Sequence, residues 1–254
     1  MNLRFFLFPS FFLSCFLSSF LLVLVSQMTN SAALADEDGW VFPTDRPADA
    51  IVLFDSDGTC DFVSKQGTKT DWPIVEGTLV STAKEERSNH IVSKTLFQDA
   101  DIHVEFCMAK QANGNSGVYI HGLYEVQIIN SADKQELTYQ DCGAIYGIAA
   151  PKVNAAKKWG EWQTFDIRYT APRKDKDGNY TAEGKITVWF NGQKIHDEVS
   201  FTKPFSIYHP FRYKTTEYLD NLYQNMQQTG LGPLFLQDHD SPCQFRNVWI
   251  RIRK

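Results

Sequence analysis

No Cys-x-x-Cys, no Gly-x-Ser-x-Gly and no His-Glu-x-x-His occurs in the 254 residues. The first absence argues against zinc knuckles and thioredoxin-like redox chemistry. The other two weaken the cases for a serine esterase and a zinc protease. Basic blocks are missing too, and the net charge is −5. Nucleic acid and an anionic membrane surface are therefore not expected partners. There is no internal repeat and almost no helical periodicity. The chain has one apolar run long enough to span a bilayer, and it stands at the start.

That run has the layout of an export signal. Met1 to Arg4 is a short positive start, Phe5 to Val25 is mostly apolar, and Ala33-Leu34-Ala35 is a small-x-small exit before Asp36-Glu37-Asp38. Residues 1–35 read as a signal peptide cleaved after Ala35, which places the mature protein in the periplasm or outside the cell. A retained anchor is the alternative. Arg4 is the only charge in the leader, so the remaining 219 residues carry 24 basic and 30 acidic side chains. Cleavage would leave no membrane-spanning run. Four cysteines remain, Cys60, Cys107, Cys142 and Cys243. They permit two disulfides in three pairings, or buried free thiols.

Residues 36–49 read as an N-terminal arm, and residues 50–254 as one domain. About a dozen short strand signals follow one another, among them Ile51–Phe54, Ile102–Met108, Gly117–Ile120, Tyr124–Ile129, Ala144–Ile148, Thr164–Tyr169, Lys185–Phe190 and Phe245–Ile252. Glu76-Gly77 and Asn191-Gly192 mark hairpins. This pattern predicts an all-β sandwich or barrel. Two segments depart from it. Residues 171–184 read as a long hairpin loop. Residues 205–229 read as an insertion whose aromatics favour an ordered flap, with a short helix over 217–228.

Alternation puts side chains two apart on one strand face. Tyr124, Val126 and Ile128 then face an inter-sheet core, and Glu125 and Gln127 share the open face. Asn115, Tyr119 and His121 pair by the same rule, as do Gln237 and His239. Alternation in the last strand sets Phe245 and Trp249 against Arg246 and Val248, so Arg246 could add a cation to one surface. A concave sheet carrying amides, carboxylates and aromatics suits sugar recognition, because hydroxyls bond to planar polar groups and pyranose faces stack on rings. A solvated outer sheet face has the same alternation. His103 beside Glu105 reads as exposed sheet, and Asp238-His239-Asp240 as a polar turn, a base or a metal ligand. Asn113-Gly114-Asn115-Ser116-Gly117 lacks the strand-to-helix context of a phosphate loop.

Eight strings in order resemble one family: Leu53-Phe54-Asp55, Asn115-Ser116-Gly117-Val118-Tyr119, Tyr124-Glu125-Val126-Gln127-Ile128, Gly143-Ala144-Ile145-Tyr146, Gly160-Glu161-Trp162, Phe190-Asn191-Gly192, Gly232 to His239, and Phe245-Arg246-Asn247-Val248. They resemble the 3-keto-disaccharide hydrolases, also described as 3-keto-glucoside 1,2-lyases or 3-keto-2-hydroxy-glucal hydratases, across residues 50–252. Gln163 stands where the family usually has Asn, and the 205–229 insertion is long. The resemblance implies an exported protein with a concanavalin A-like jelly-roll of two antiparallel sheets. It also implies cleavage of 3-keto-glycosides: a base removes the C2 proton and the C1 aglycone leaves by elimination. A base, a stabiliser of charge on the C3 oxygen and a proton donor are needed. A divalent metal cation could assist.

On these residues and this resemblance together, one pocket is expected from Glu125, Gln127, Asn115 and His239, with Tyr119 contributing and Arg246 near its edge. Glu125 or His239 would be the base, and the same two would hold any metal. Asn115, Gln127, Tyr119 and Arg246 would bind substrate. Asn115 and Asp238 as mere turn caps is the plain alternative. A non-catalytic carbohydrate-binding module and a conventional endo-glucanase remain open, although Tyr124–Ile129 carries only one of the carboxylates a glucanase strand needs.

Overall fold

The computed structural model describes residues 45–82, 88–108, 114–239 and 241–253. The leader, its cleavage site after Ala35 and most of the arm lie outside the described residues. No described helix is long and apolar enough to cross a membrane.

Among the described residues, short β-branched and aromatic runs separated by turn residues form fifteen strands and one helix. In chain order the strands are β1 (Ile51–Phe54), β2 (Phe62–Ser64), β3 (Ile74–Val75), β4 (Thr78–Val80), β5 (Ile91–Ser93), β6 (Ala100–Met108), β7 (Asn115–Ile120), β8 (Tyr124–Ile129), β9 (Gln163–Thr170), β10 (Arg173–Lys174), β11 (Tyr180–Ala182), β12 (Gly184–Phe190), β13 (Gln193–Phe201), β14 (Leu234–Leu236) and β15 (Cys243–Ile252). Helix α1 (Glu217–Thr229) lies between β13 and β14. One antiparallel sheet runs β13-β12-β9-β6-β15-β4-β3, with β1 also on β15. The other runs β2-β5-β14-β7-β8. The fold is the expected all-β jelly-roll of two packed antiparallel sheets.

The core between the sheets follows from alternation. Val118, Val126, Ile128 and Leu236 from the five-stranded sheet meet Phe106, Phe165, Phe190 and Phe245 from the larger one, all essentially inaccessible to water. Phe165 lies 4.8 Å from Phe106 and 4.7 Å from Phe190 between ring centroids, at tilts that suit aromatic quadrupoles. The Asn191-Gly192 hairpin forms as predicted, with both residues at positive φ. That geometry matches the strand twist and favours Asn-Gly.

Several expectations need correction. Residues 144–148 form no strand. Gly143 and Gly147 adopt positive φ, which breaks the extended run and leaves Ile145 bridging to Val126 and Ala149. The 171–184 segment is the expected long hairpin loop, joining the antiparallel pair β9 and β12, and it carries a small ladder of β10 and β11. Of the two readings left open for Cys60, Cys107, Cys142 and Cys243, the structure has free thiols at all four. In β15 the register shifts between Arg246 and Trp249, with Asn247 at φ 45°. This bulge puts one extra residue on the outer side. Val248 therefore joins Phe245 in the core, while Trp249 turns outward onto His103.

The insertion is ordered where described. Thr216 caps α1 by accepting from the Leu219 N–H, and Gly230 ends it in the left-handed conformation. Leu219 and Met226 bury against Phe211, Phe235 and Tyr119 on the outer face of the five-stranded sheet. The helix thus covers part of that face and leaves the rest as an open floor.

Candidate functional site

The open floor is a grid of side chains fixed by strand pairing. Tyr119 of β7 stands opposite Glu125 of β8, and Gly117 opposite Gln127. Phe235 of β14 pairs with Tyr119, and the Gln237 N–H donates to the Gly117 carbonyl at 3.0 Å. One step further along, Asn115 bridges to His239. Glu125, Gln127, Asn115, Tyr119 and His239 all line one cavity of about 310 Å³. Five expected site residues are thus brought together.

Arg246 is not among them. It lies on the eight-stranded sheet, where its Nε donates to Glu105 Oε2 at 2.6 Å and its guanidinium stacks 4.0 Å from the Trp162 ring centroid. His121 does not reach the cavity either. It takes positive φ at the β7–β8 turn, where its Nε2 donates to the Phe97 carbonyl and its Nδ1 accepts from the Tyr169 hydroxyl. Gln163 is buried away from the cavity and accepts the Lys157 N–H. His103 is buried rather than exposed, bonded to Asp166 at 2.6 Å.

Residues outside the expected site set complete the walls, Gln237 having been expected only to share a strand face with His239. His90, Tyr146 and Gln237 belong to the floor, and Ser206, Tyr208 and Tyr213 come from the insertion. His90 shares parity with Val92 and so carried the same alternation signal as Glu125. The flap tyrosines, 5.6 Å apart and edge to face, are placed by tertiary packing that no local pattern announces.

Glu125 is the one carboxylate lining the cavity among the described residues. Its side chain has room because Gly117 opposite has none: a Cβ there would stand 2.3 Å from Oε1. Glu125 is 6 % exposed, and burial pushes its carboxyl up to about 8, partly offset by a hydrogen bond from Tyr119. Burial and the neighbouring carboxylate push the Tyr119 phenol well above its ordinary value, so it stays a donor. The Tyr119 hydroxyl in turn accepts from Gln237 Nε2 at 3.2 Å. That bond turns the amide so that Gln237 Oε1 has no protein partner, although the residue is 7 % exposed. Asn115 Oδ1 is a second buried acceptor without a partner. A buried acceptor left unmade costs stability, about 1–3 kcal/mol. Two of them on one cavity mark places for ligand hydroxyls.

A divalent cation is the expected cofactor on Glu125 and His239. Among the described residues, no three His, Cys, Asp or Glu side chains gather into a set that could hold a metal ion. The described side chains alone do not make a cation site.

The sequence of residues 49–251 matches the model of the 3-keto-alpha-glucoside-1,2-lyase-like domain. The chain belongs to this family. Among solved structures it is similar to a provisionally named glycosyl hydrolase of Parabacteroides distasonis, at 30 % identity and a TM-score of 0.66. The match covers 82 % of this chain and 85 % of that one. A second such protein from the same organism is 20 % identical with a TM-score of 0.54, covering 81 % and 94 % of the two chains, and supports the fold. No functionally curated protein matches by sequence. Within the 3-keto-alpha-glucoside-1,2-lyase-like family, then, this chain is a carbohydrate-active member with one buried carboxylate on its floor.

Proposed function

We propose that this protein cleaves 3-keto-glycosides by removing the C2 proton and expelling the C1 substituent. The observation that carries this reading is the lone carboxylate. Among the described residues Glu125 is the only Asp or Glu lining the cavity. Ordinary retaining and inverting glycosidases need two opposed carboxyl groups, which disfavours the endo-glucanase reading. Elimination from a 3-keto sugar needs one base, because the ketone already acidifies the C2 proton.

Glu125, with its carboxyl near 8, is matched to taking that proton. Its electron pair moves onto the C3 oxygen. As the C3 carbonyl reforms, the C1–C2 double bond forms and the C1–O bond breaks. His239, part-exposed at the cavity, supplies a proton to the departing oxygen. The products are a 2-hydroxy-glucal ketone and the free aglycone. Asn115 Oδ1 and Gln237 Oε1 accept from sugar hydroxyls, and Tyr208 and Tyr213 offer rings for stacking. The export signal would deliver this activity to the periplasm or outside the cell.

The test is incubation of the pure protein with 3-keto-trehalose and 3-keto-lactose, with and without divalent metals and after EDTA, following released sugar. Release that Glu125→Gln abolishes supports the reading. Tight binding of either sugar without release would instead assign a carbohydrate-binding module.

A further inference from the structure

We propose that His90 is a catalytic residue whose Nε2–H donates to the substrate C3 oxygen as Glu125 takes the C2 proton. This rests on the 3-keto-glycoside reading above and supplies the charge stabiliser that the reading leaves unassigned.

His90 immediately precedes β5 and lines the cavity. Its Nδ1 accepts the main-chain N–H of Asp238 at 3.2 Å. An acceptor cannot carry a proton, so the neutral ring bears its hydrogen on Nε2. Among the described residues Nε2 has no hydrogen-bond partner. The donor to Nδ1 is itself anchored, because Asp238 is fully buried and its Oδ2 accepts from the Thr82 hydroxyl at 2.7 Å. The His90 ring also stacks on Tyr119, with centroids 6.3 Å apart and planes 25° from parallel. Tyr119 is the residue whose hydroxyl holds Glu125. One side chain thus positions both the proposed base and the proposed donor.

The surroundings keep the ring neutral. Burial first, then the positive Lys65 and the neighbouring His239, push the imidazole down to about 3. Lys65 is held there by Ser88 Oγ and the Lys214 carbonyl. A neutral imidazole is a suitable partner for an enolate, since it polarises the ketone without surrendering its proton. Charge balance is preserved. The C2 proton ends on Glu125, the electron pair rests transiently on the C3 oxygen, and the His90 N–H bond stays intact.

The test separates enolisation from cleavage. The probe is 1,5-anhydro-3-keto-glucitol, which has a C2 proton but no leaving group, in D2O by NMR. Wild type is expected to exchange the C2 proton. His90→Gln should lose roughly 10²- to 10³-fold in exchange rate and in kcat on 3-keto-trehalose, with KM within about threefold. His239→Ala should keep exchange while losing cleavage. Exchange by His90→Gln within threefold of wild type overturns the proposal and leaves the parent reading standing. A wild type that neither exchanges nor cleaves overturns both. Should His90→Gln fail to fold, nitrogen NMR of the labelled wild type decides. An Nε2–H tautomer whose proton resonance moves downfield with the probe is expected, and an Nδ1–H tautomer, or no movement, overturns the proposal.

Discussion

Gly117→Ala is the sharpest test of Glu125. Gly117 lies within β7 and is not among the glycines at positive φ, so the backbone there admits alanine. The side chain opposite is the obstacle. The added methyl would stand 2.3 Å from Glu125 Oε1, 3.0 Å from Cγ and 3.1 Å from Cδ. Relief of that overlap moves the carboxylate by about 1 Å, since non-bonded carbon contacts settle near 3.5–4.0 Å. A displacement of that size at a reacting group costs about 10²-fold in rate. Crowding costs about 1–3 kcal/mol, offset by about 0.4–1 kcal/mol from the stiffer unfolded chain. The net stability loss should therefore stay within about 2.6 kcal/mol, leaving the variant folded. The assay is kcat/KM on 3-keto-trehalose beside urea denaturation. A folded Gly117→Ala protein with kcat/KM within threefold of wild type would show that the position of Glu125 does not matter to the reaction.

Four further outcomes follow from the same geometry. Because Glu125 must be ionised to act, kcat/KM should rise with pH and level off above about 8, and a profile flat from pH 6 to 9 would refute its role as base. Its folded value lies above the unfolded 4.5, so the burial cost is absent below that pH and complete above about 8; Glu125→Gln should melt higher than wild type at pH 9, by a few kcal/mol at roughly 1.4 kcal/mol per unit, and equally at pH 4. His103 behaves oppositely: burial alone would depress it, but Asp166 and Glu105 outweigh burial and hold it at about 9, so His103→Gln should lose about 2–3 kcal/mol at pH 6 and converge with wild type above pH 10 in urea titrations. The chain from Asp36 onward should release four thiols to Ellman's reagent in guanidine, and its melting temperature should not respond to reductant.

What was legible in the sequence was whatever a period of two could carry. Glu125 and Gln127 face the cavity because Val126 and Ile128 are drawn into the core, and a single strand holds that information. The bulge at Asn247 breaks the period, so Val248 and Trp249 exchange faces beyond it, while Arg246, before the bulge, points outward as alternation expects but from the other sheet. His121 failed similarly, since a positive-φ turn carries it off the strand it belongs to in parity. The flap tyrosines depend on α1 packing over Phe235 and Tyr119, a contact between residues a hundred positions apart. His90 was legible by parity, but its lone donor nitrogen depends on the Asp238 N–H reaching it across 148 positions.

Each sheet carries on its outer face a group of buried polar residues built from the same residue types, and only their pairing tells them apart. On the larger sheet His103 bonds Asp166, Glu105 takes Arg246 and the Asn247 amide, and Trp249 closes over the ring. Every charge there meets its opposite, Glu105 being pulled down to about 2, first by His103. Such a network of paired charges rigidifies a sheet. On the smaller sheet, among the described residues, the carboxylate has a phenol for company and no cation, two amide oxygens have no protein partner, and an imidazole keeps a free N–H. That arrangement is unfavourable for the folded chain alone and becomes favourable only when hydroxyls and a carbonyl fill it. The two carboxylates differ in their partners and not in their type or spacing, which is why residue type and spacing by themselves could not separate Glu125 from Glu105.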